Sequence, residues 1–282
     1  MTVSAPQRRA CVIGWPVAHS RSPLIHGYWL KLYGIDGSYG REAVAPEDLA
    51  GFIERLSSLG YVGCNVTLPH KEAVYGLVEV QDLTTRRIEA VNTVYVEGGR
   101  LLGFNSDAYG FVASLRSVLP DWQASGTSVL VLGAGGAARA IIAGLLAEGV
   151  SHVTIANRTE ARGRALARHF GNNVSAVAWA SIPERLPDCH LVVNTTLLGM
   201  AGQPPLEIDL DGLPPGAAVA DIVYVPLETD LLRQARARGH RVVDGLGMLL
   251  HQAVPGFEVW FGVRPEVTPQ LRAMIEADLA EP

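Results

Sequence analysis

Of the 23 basic residues in this 282-residue chain, only Lys31 and Lys71 are lysines. Arginine keeps its proton near neutral pH, whereas an ammonium can pass a proton to a reacting oxygen and take it back. Lys31 lies in a stretch with amphipathic helical spacing and reads as a solvated side chain. Lys71 ends the run Asn65-Val66-Thr67-Leu68-Pro69-His70-Lys71, which puts an amide, a hydroxyl and an amine at one strand exit. Gly103-Phe104-Asn105-Ser106-Asp107 offers a carboxylate. An amine oriented by a carboxylate suits proton transfer to an oxygen on which negative charge builds. His19-Ser20-Arg21-Ser22-Pro23 adds two hydroxyls beside a helix start, and Ala90-Val91-Asn92-Thr93 another amide. Each also has a plain structural reading. Ser22 and Asp107 would serve as N-caps and Asn105 as a turn residue, while His70 and His251 read as ordinary histidines.

A second constellation, Val129 to Arg139, consists of an apolar strand, a glycine turn and a helix start. Gly133, Gly135 and Ala138 fit G-x-G-x-x-G/A. The first glycine permits the turn, the second lets backbone approach a pyrophosphate, and the small third residue lets helix and strand pack closely. The free N–H groups of the helix start favour phosphate. Strand His152–Ala156 then ends at Asn157-Arg158-Thr159, where an NAD-type fold carries an acidic residue for the ribose 2′-hydroxyl. With no carboxylate there, and with Arg158 and Arg162 nearby, the pattern favours NADP over NAD. The alternative is that both arginines simply face solvent.

The elements that must position these residues alternate β and α, predicting parallel sheets covered by helices. The expected strands are Arg9–Gly14, Gly37–Glu42, Tyr61–Val66, Val91–Val96, Arg100–Phe104, Ser128–Leu132, His152–Ala156, Val174–Val177, Leu191–Asn194, Ala217–Val223 and Arg241–Asp244. Glu97-Gly98-Gly99 reads as a hairpin turn. Helices are expected over Leu24–Tyr33, from Pro46 to about Ser58, from Lys71, over Asp107–Leu119, from the glycine turn to Glu148, and over Thr159–Phe170 and Leu227–Arg238. Gly247–Phe261 is expected to be interrupted near Pro255, and Pro269–Leu279 closes the chain. Polar, turn-rich Pro120–Gly126 marks a domain boundary. The division expected is a substrate domain over 1–108 completed by 246–282, a connecting helix over 109–119, and a Rossmann-type domain over 120–244.

Composition narrows the function. Apolar residues make up 48% and charged residues 18%, enough for buried cores. A net charge of −5 gives no general attraction for nucleic acid or anionic lipid. Cys11, Cys64 and Cys189 are widely spaced and read as buried thiols of a reducing compartment. Met1 to Arg9 is polar with no apolar run behind it, so the cytoplasm is expected and a membrane is not. The eight histidines show no metal-ligand spacing, and no metal is expected.

Asn-Val-Thr-x-Pro-x-Lys at 65–71, Ala-Val-Asn-Thr at 90–93, Gly-x-Asn-Ser-Asp-x-x-Gly at 103–110, Gly-Ala-Gly-Gly-Ala-x-Arg at 133–139 and Gly-Leu-Gly-Met at 245–248 occur in this order. Together they resemble the shikimate dehydrogenase family from about residue 10 to about residue 275. Ser106 stands where many members carry threonine, and the hydroxyl is kept. The resemblance implies two α/β domains with a cleft between them and C-terminal helices that return to the first. It implies Lys71 and Asp107 as the catalytic pair, and Ser20 and Ser22, helped by Tyr224, on the substrate carboxylate. Asn65, Thr67, Asn92 and Gln252 are then expected on ring hydroxyls. Gly133, Ala134, Gly135, Gly136, Ala137, Arg139, Asn157, Arg158, Thr159 and Arg162 are expected on NADP, with Thr195, Gly245 and Met248 near its nicotinamide. The implied reaction is NADPH-dependent reduction of 3-dehydroshikimate to shikimate. An NAD-using quinate/shikimate enzyme, an aminoshikimate-type paralogue and a non-catalytic NADP-binding regulator are the alternatives. Monomer and homodimer both stay open.

Overall fold

The computed structural model describes residues 8–280; residues 1–7, which hold most of the polar N-terminal segment, and 281–282 lie outside the described residues. The chain forms two compact units, residues 1–106 with 252–282 and residues 107–251.

In the first unit, β1 (Arg8–Gly14), β2 (Gly37–Ala43), β3 (Tyr61–Val66), β4 (Glu79–Val80), β5 (Thr93–Glu97) and β6 (Arg100–Phe104) form a sheet in the order β2-β1-β3-β5-β6-β4. The sheet is mixed rather than parallel throughout. β1 runs parallel to β2 and β3, whereas β5 is antiparallel to β3 and β6. The Gly98-Gly99 turn explains this: both glycines have positive φ (57° and 78°), which a tight hairpin requires. The helices here are α1 (Ser22–Leu32), α2 (Leu49–Glu54), α3 (Lys71–Tyr75) and α4 (Leu83–Ile88). Cys11, Ile13, Ile53, Leu56, Cys64 and Val94 belong to one buried cluster.

In the second unit, α5 (Asp107–Val118) packs along α6 (Gly136–Ala147), where Gly144 lies against Ala108 and Val112. β7 (Ser128–Leu132), β8 (His152–Ala156), β9 (Val174–Val177), β10 (Leu191–Asn194), β11 (Ala218–Asp221) and β12 (Arg241–Val243) form a sheet in the order β12-β11-β10-β7-β8-β9. Every pairing in it is parallel. The continuous apolar runs of β7 and β10 are what a strand buried on both faces needs. α7 (Glu160–Phe170), α8 (Ile182–Arg185) and α9 (Asp230–Ala237) complete the alternation.

α10 (Gly245–Phe261) begins in the second unit and ends in the first, and α11 (Pro269–Ala280) belongs to the first. The closing helices do return to the first unit. Trp29 Nε1 donates to the Glu266 carbonyl at 3.0 Å, Arg21 pairs with Asp278 at 2.7 Å, and Leu271 and Ile275 are buried.

Several expectations need correction. α10 is unbroken at Pro255. Pro255 shares a half-buried side of the helix with His251, whose carbonyl loses its donor, and water can serve a group so placed. The helix from Pro46 is a 3-10 turn, Pro46–Asp48, followed by short α2. β4, α4 and α8 had no counterpart in the sequence reading. α9 starts at Asp230 rather than Leu227, because Thr229 caps it by accepting from Leu232 N–H.

β3 shows how tightly the first unit is built. A Cβ on Gly63 would collide with the Trp260 indole and the Val94 carbonyl, which Trp260 Nε1 holds at 2.9 Å. Gly63→Ala is expected to cost about 3 kcal/mol through overpacking, read as a lower urea midpoint of the first unit; an unchanged midpoint would mean that the indole moves aside freely.

Candidate active site

Sequence-predicted residues of the first unit gather where strands end. The Ser20 Oγ accepts from the Ser22 N–H at 3.3 Å, and the Ser20 carbonyl accepts two bonds from Arg41, at 3.0 and 2.6 Å. Ser22 is not the N-cap but the first residue of α1, and it is buried. Asn65, near the end of β3, is 5% exposed. Its Nδ2 donates to the Asn92 carbonyl at 3.1 Å and to Thr93 Oγ1 at 3.2 Å. Asn92 Oδ1 in turn accepts from Ser106 N–H at 2.8 Å, Ser106 Oγ at 3.1 Å and Thr93 Oγ1 at 3.0 Å. Asn65, Asn92 and Ser106 are thus one network. Thr67 is anchored by its N–H to the Ile13 carbonyl at 2.9 Å and is half-buried. Lys71 opens α3 half-buried, and its carbonyl accepts from Val91 N–H at 2.9 Å, one residue before Asn92. Gln252 is half-buried on α10.

His70 and His26 separate into two roles. His70 Nε2 meets the Val44 carbonyl at 2.8 Å, an ordinary structural bond. His26 is fully buried among Trp29, Tyr39, Phe257 and Trp260, with both ring nitrogens out of hydrogen-bond range. Burial pushes its pKa down to about 3, against a small opposing pull from nearby Asn65. Because the folded pKa lies below the unfolded one, the unfolded state binds the proton first as pH falls. Stability is complete above about pH 6.5 and drains toward pH 3. Between pH 7 and 4.5 the loss attributable to His26 is about 2–3 kcal/mol. Urea unfolding of the parent and of His26→Phe at both pH values is expected to show that extra loss in the parent alone.

The second unit holds the cofactor-type residues at the switch point of its sheet. Gly133 follows β7 and Thr195 follows β10, the adjacent strands from which the strand order diverges and where such sheets bind ligands. Gly133 has φ +111°, and a Cβ there would stand 2.6 Å from Thr195 Oγ1. Thr195 Oγ1 itself donates to the Leu132 carbonyl at 2.6 Å. Gly135 and Gly136 face open space on the Cβ side, and no side chain caps the start of α6. This is a cradle that side chains would fill, with N–H groups aimed into it, and it fits a pyrophosphate. Ala134 completes the turn, and Ala137 and half-buried Arg139 follow at the start of α6.

Asn157 Nδ2 donates to the Thr159 carbonyl at 2.7 Å and shapes the loop after β8. Arg158, Thr159 and Arg162 on it are exposed. Among the described residues neither Arg158 nor Arg162 is in an ion pair, and the nearby Glu160 is tied to Arg164 at 2.8 Å. Two uncompensated guanidinium groups with no carboxylate at the strand end suit a 2′-phosphate.

Asp107 opens α5 and is buried. Tyr224 is half-buried beside the cis Val225-Pro226 bond. Gly245 opens α10, where a Cβ would collide with the Ile222 carbonyl and lie 2.7 Å from that of Val223, so it allows the helix to meet the Tyr224 loop. Met248 follows on α10, half-buried.

Sequence reasoning missed Tyr39 and Asp221. Tyr39 Oη donates to Asn65 Oδ1 at 2.5 Å. Asp221 accepts from Asn194 Nδ2 at 2.9 Å, Val223 N–H at 3.0 Å and Thr229 Oγ1 at 2.7 Å, tying the Thr195 loop to the Tyr224 loop. Burial raises its pKa, and those three bonds oppose the rise. An acidic residue ending an apolar strand was the available signal. All three cysteines are buried free thiols. No group of His, Cys, Asp and Glu among the described residues is placed to hold a metal ion, and no helix is long and apolar enough to cross a membrane.

Residues 12–94 match the shikimate dehydrogenase substrate binding domain, 116–199 the shikimate/quinate 5-dehydrogenase family and 245–275 the shikimate 5′-dehydrogenase C-terminal domain. A relative from Rhodopseudomonas palustris strain TIE-1, named shikimate dehydrogenase (NADP(+)), is 55% identical over 278 residues, covering 99% of each chain. The Thermus thermophilus shikimate 5-dehydrogenase, solved in complex with NADP(H) and shikimate, is 37% identical with a TM-score of 0.84, over 97% of this chain and 100% of that one. The Corynebacterium glutamicum quinate dehydrogenase, solved in complex with NAD, is 31% identical with a TM-score of 0.89, over 96% and 99%. With the motifs, both sheets and the whole length in agreement, the chain belongs to the shikimate dehydrogenase family.

Proposed function

We propose that the protein catalyses the reversible NADPH-dependent reduction of 3-dehydroshikimate to shikimate. The observation that carries this reading is the 55% identity over 99% of the chain to an NADP-dependent shikimate dehydrogenase. The uncompensated Arg158 and Arg162 beside the glycine cradle support it.

When bound, NADPH supplies the hydride. The chain supplies the proton path and the grip. As the C3 carbonyl is reduced, negative charge builds on its oxygen, and the Lys71 ammonium donates a proton there; in oxidation the amine takes it back. Asp107 accepts from a neighbouring hydroxyl and orients the reacting end. Ser20 and Ser22, with Tyr224, hold the carboxylate, while Asn65, Thr67, Asn92 and Gln252 read the ring hydroxyls. Gly133 to Ala137 and Arg139 cradle the pyrophosphate, and Arg158, with Asn157, Thr159 and Arg162, takes the adenosine 2′-phosphate. Thr195, Gly245 and Met248 line the nicotinamide side. The substrate residues fall within 1–108 and 246–282, apart from Tyr224, and the cofactor residues within 120–244, apart from Gly245 and Met248. We place the protein in the cytoplasm, where three free buried thiols stay reduced.

A second reading, quinate oxidation with NAD, is favoured by the likeness to the quinate dehydrogenase. One assay separates them: appearance of reduced cofactor with shikimate or quinate, each with NADP or NAD. The expected result is turnover of shikimate with kcat/KM at least tenfold higher for NADP, a gap of about 1.4 kcal/mol. Equal or better rates with quinate and NAD would move the protein to the second reading.

A further inference from the structure

We propose that Tyr39 is a specificity-determining positioning residue, which orients the Asn65 amide so that only its oxygen can meet a ligand and the substrate group received there must be a hydroxyl that donates. The inference rests on the shikimate reading of the first unit.

The amide's orientation is fixed by its partners. The Asn92 carbonyl can only accept, so the Asn65 atom 3.1 Å from it must be Nδ2. The second Nδ2 hydrogen goes to Thr93 Oγ1, whose own proton is given to Asn92 Oδ1 at 3.0 Å. Both Asn65 donors are therefore committed within the protein. On the other side of the amide, Tyr39 Oη donates its single proton to Oδ1 at 2.5 Å. A carbonyl oxygen has two acceptor sites, and the ring nitrogens of neighbouring His26 make no hydrogen bond to it, so one acceptor position is what Asn65 has left to offer. A ring hydroxyl fits it; a ketone or ether oxygen, which brings no hydrogen, would face it lone pair to lone pair.

Tyr39 is itself held rigidly. Its ring stacks on His26 with centroids 4.0 Å apart and planes 9° from parallel, and it leans on Trp260 at 5.8 Å. Burial, then the neighbouring thiols Cys11 and Cys64, raise its pKa well above the usual phenol value, so the donor persists at any working pH. The Ser22 hydroxyl lies near the phenol and opposes that rise. Tyr39 thus stands beside the serine assigned to the carboxylate and is bonded to the asparagine assigned to the ring.

The test is Tyr39→Phe, which keeps the ring and its stacking and removes only the hydroxyl. KM for shikimate is expected to rise five- to twentyfold, with kcat and the KM for NADP within twofold of the parent. Shikimate analogues lacking the C4 or the C5 hydroxyl supply the specific readout. For the analogue missing the hydroxyl that meets Asn65, the penalty relative to shikimate is expected to be at least threefold smaller in the variant than in the parent. An unchanged KM, or equal penalties in both proteins for both analogues, overturns the proposal. So does a fall in kcat and a rise in the KM for NADP matching the change for shikimate, which marks a general structural role. Should the phenylalanine variant not fold, 3-fluorotyrosine at position 39 keeps the shape and strengthens the donor, and KM for shikimate is expected to fall; no change there overturns the proposal equally. Failure of the underlying reading looks different, as the parent protein would not turn over shikimate at all.

Discussion

Lys71→Ala is expected to lower kcat for shikimate oxidation by about 10²–10⁴-fold, the usual worth of a positioned acid–base group, while KM stays within a few-fold. On the proposed mechanism the amine belongs to the chemical step and contributes little to holding the substrate in the ground state. Lys71→Arg should not restore the rate. A guanidinium keeps charge and hydrogen-bond donors but does not give up its proton near neutral pH, and its planar fork does not fit a place made for a compact ammonium at the half-buried start of α3. Steady-state rates for both variants at saturating NADP decide the matter. An unchanged kcat in the alanine variant would remove Lys71 from the mechanism, and a loss confined to KM would make it a binding residue. The other lysine, Lys31, is exposed on α1 and is the control; its replacement should change neither constant.

The second large effect is expected at the loop after β8. Arg158→Ala should raise the KM for NADP by about 10- to 100-fold, because a hydrogen bond to a charged group is worth about 1.5–3 kcal/mol. The constants for NAD should change by less than twofold, since NAD has no 2′-phosphate to lose. Arg162→Ala should act in the same direction more weakly. Arg162 lies on the first turn of α7, beyond the strand end where Arg158 stands. KM values for both cofactors test the pair. Parallel changes for NADP and NAD would show that Arg158 shapes the loop and does not read the phosphate.

Legibility in the sequence followed element length and repetition. β1, β3, β7, β8 and β10 each carry an apolar run bounded by turn residues, and their ends agree with the structure to within a residue. The glycine turn was equally plain, because a single residue with φ +111° has few alternatives to glycine. Short elements were not legible. β4 has two residues. α4 has six, and it is held by the Asp82 cap, by buried Ile88 and by Thr85 Oγ1, which accepts from Asn105 N–H at 2.8 Å. Nothing within six residues announces a helix whose stability comes from a residue twenty positions on.

The site followed the same rule. Asn65, Asn92 and Lys71 stood in motifs and could be named singly, but the bonds that bind the amides into one network are contacts between strands. Tyr39 escaped notice because Gly37-Ser38-Tyr39-Gly40 reads as plain strand, and only the pairing of β2 beside β1 and β3 brings its hydroxyl to Asn65. The interruption expected near Pro255 failed for a related reason. Helix propensity is local, whereas α10 is fixed by buried Leu250, Val254, Phe257 and Trp260 on its other side.

The first unit is made from the two ends of the chain, residues 1–106 and 252–282, and the second from a single uninterrupted stretch. On a ribosome the difference becomes one of timing. Residues 107–251 have all their partners as soon as they emerge, and they can fold while synthesis continues. α1, made early, must wait for the bond from Trp29 to Glu266, which closes a loop of 237 residues, and for the pairing of Arg21 with Asp278. The entropy of closing such a loop grows only with the logarithm of its length, and a folded stretch between the ends shortens the effective span further. The earlier-made part of the first unit is therefore the part that finishes folding, and Trp29 and His26 remain open to water and to chaperones until α11 leaves the exit tunnel.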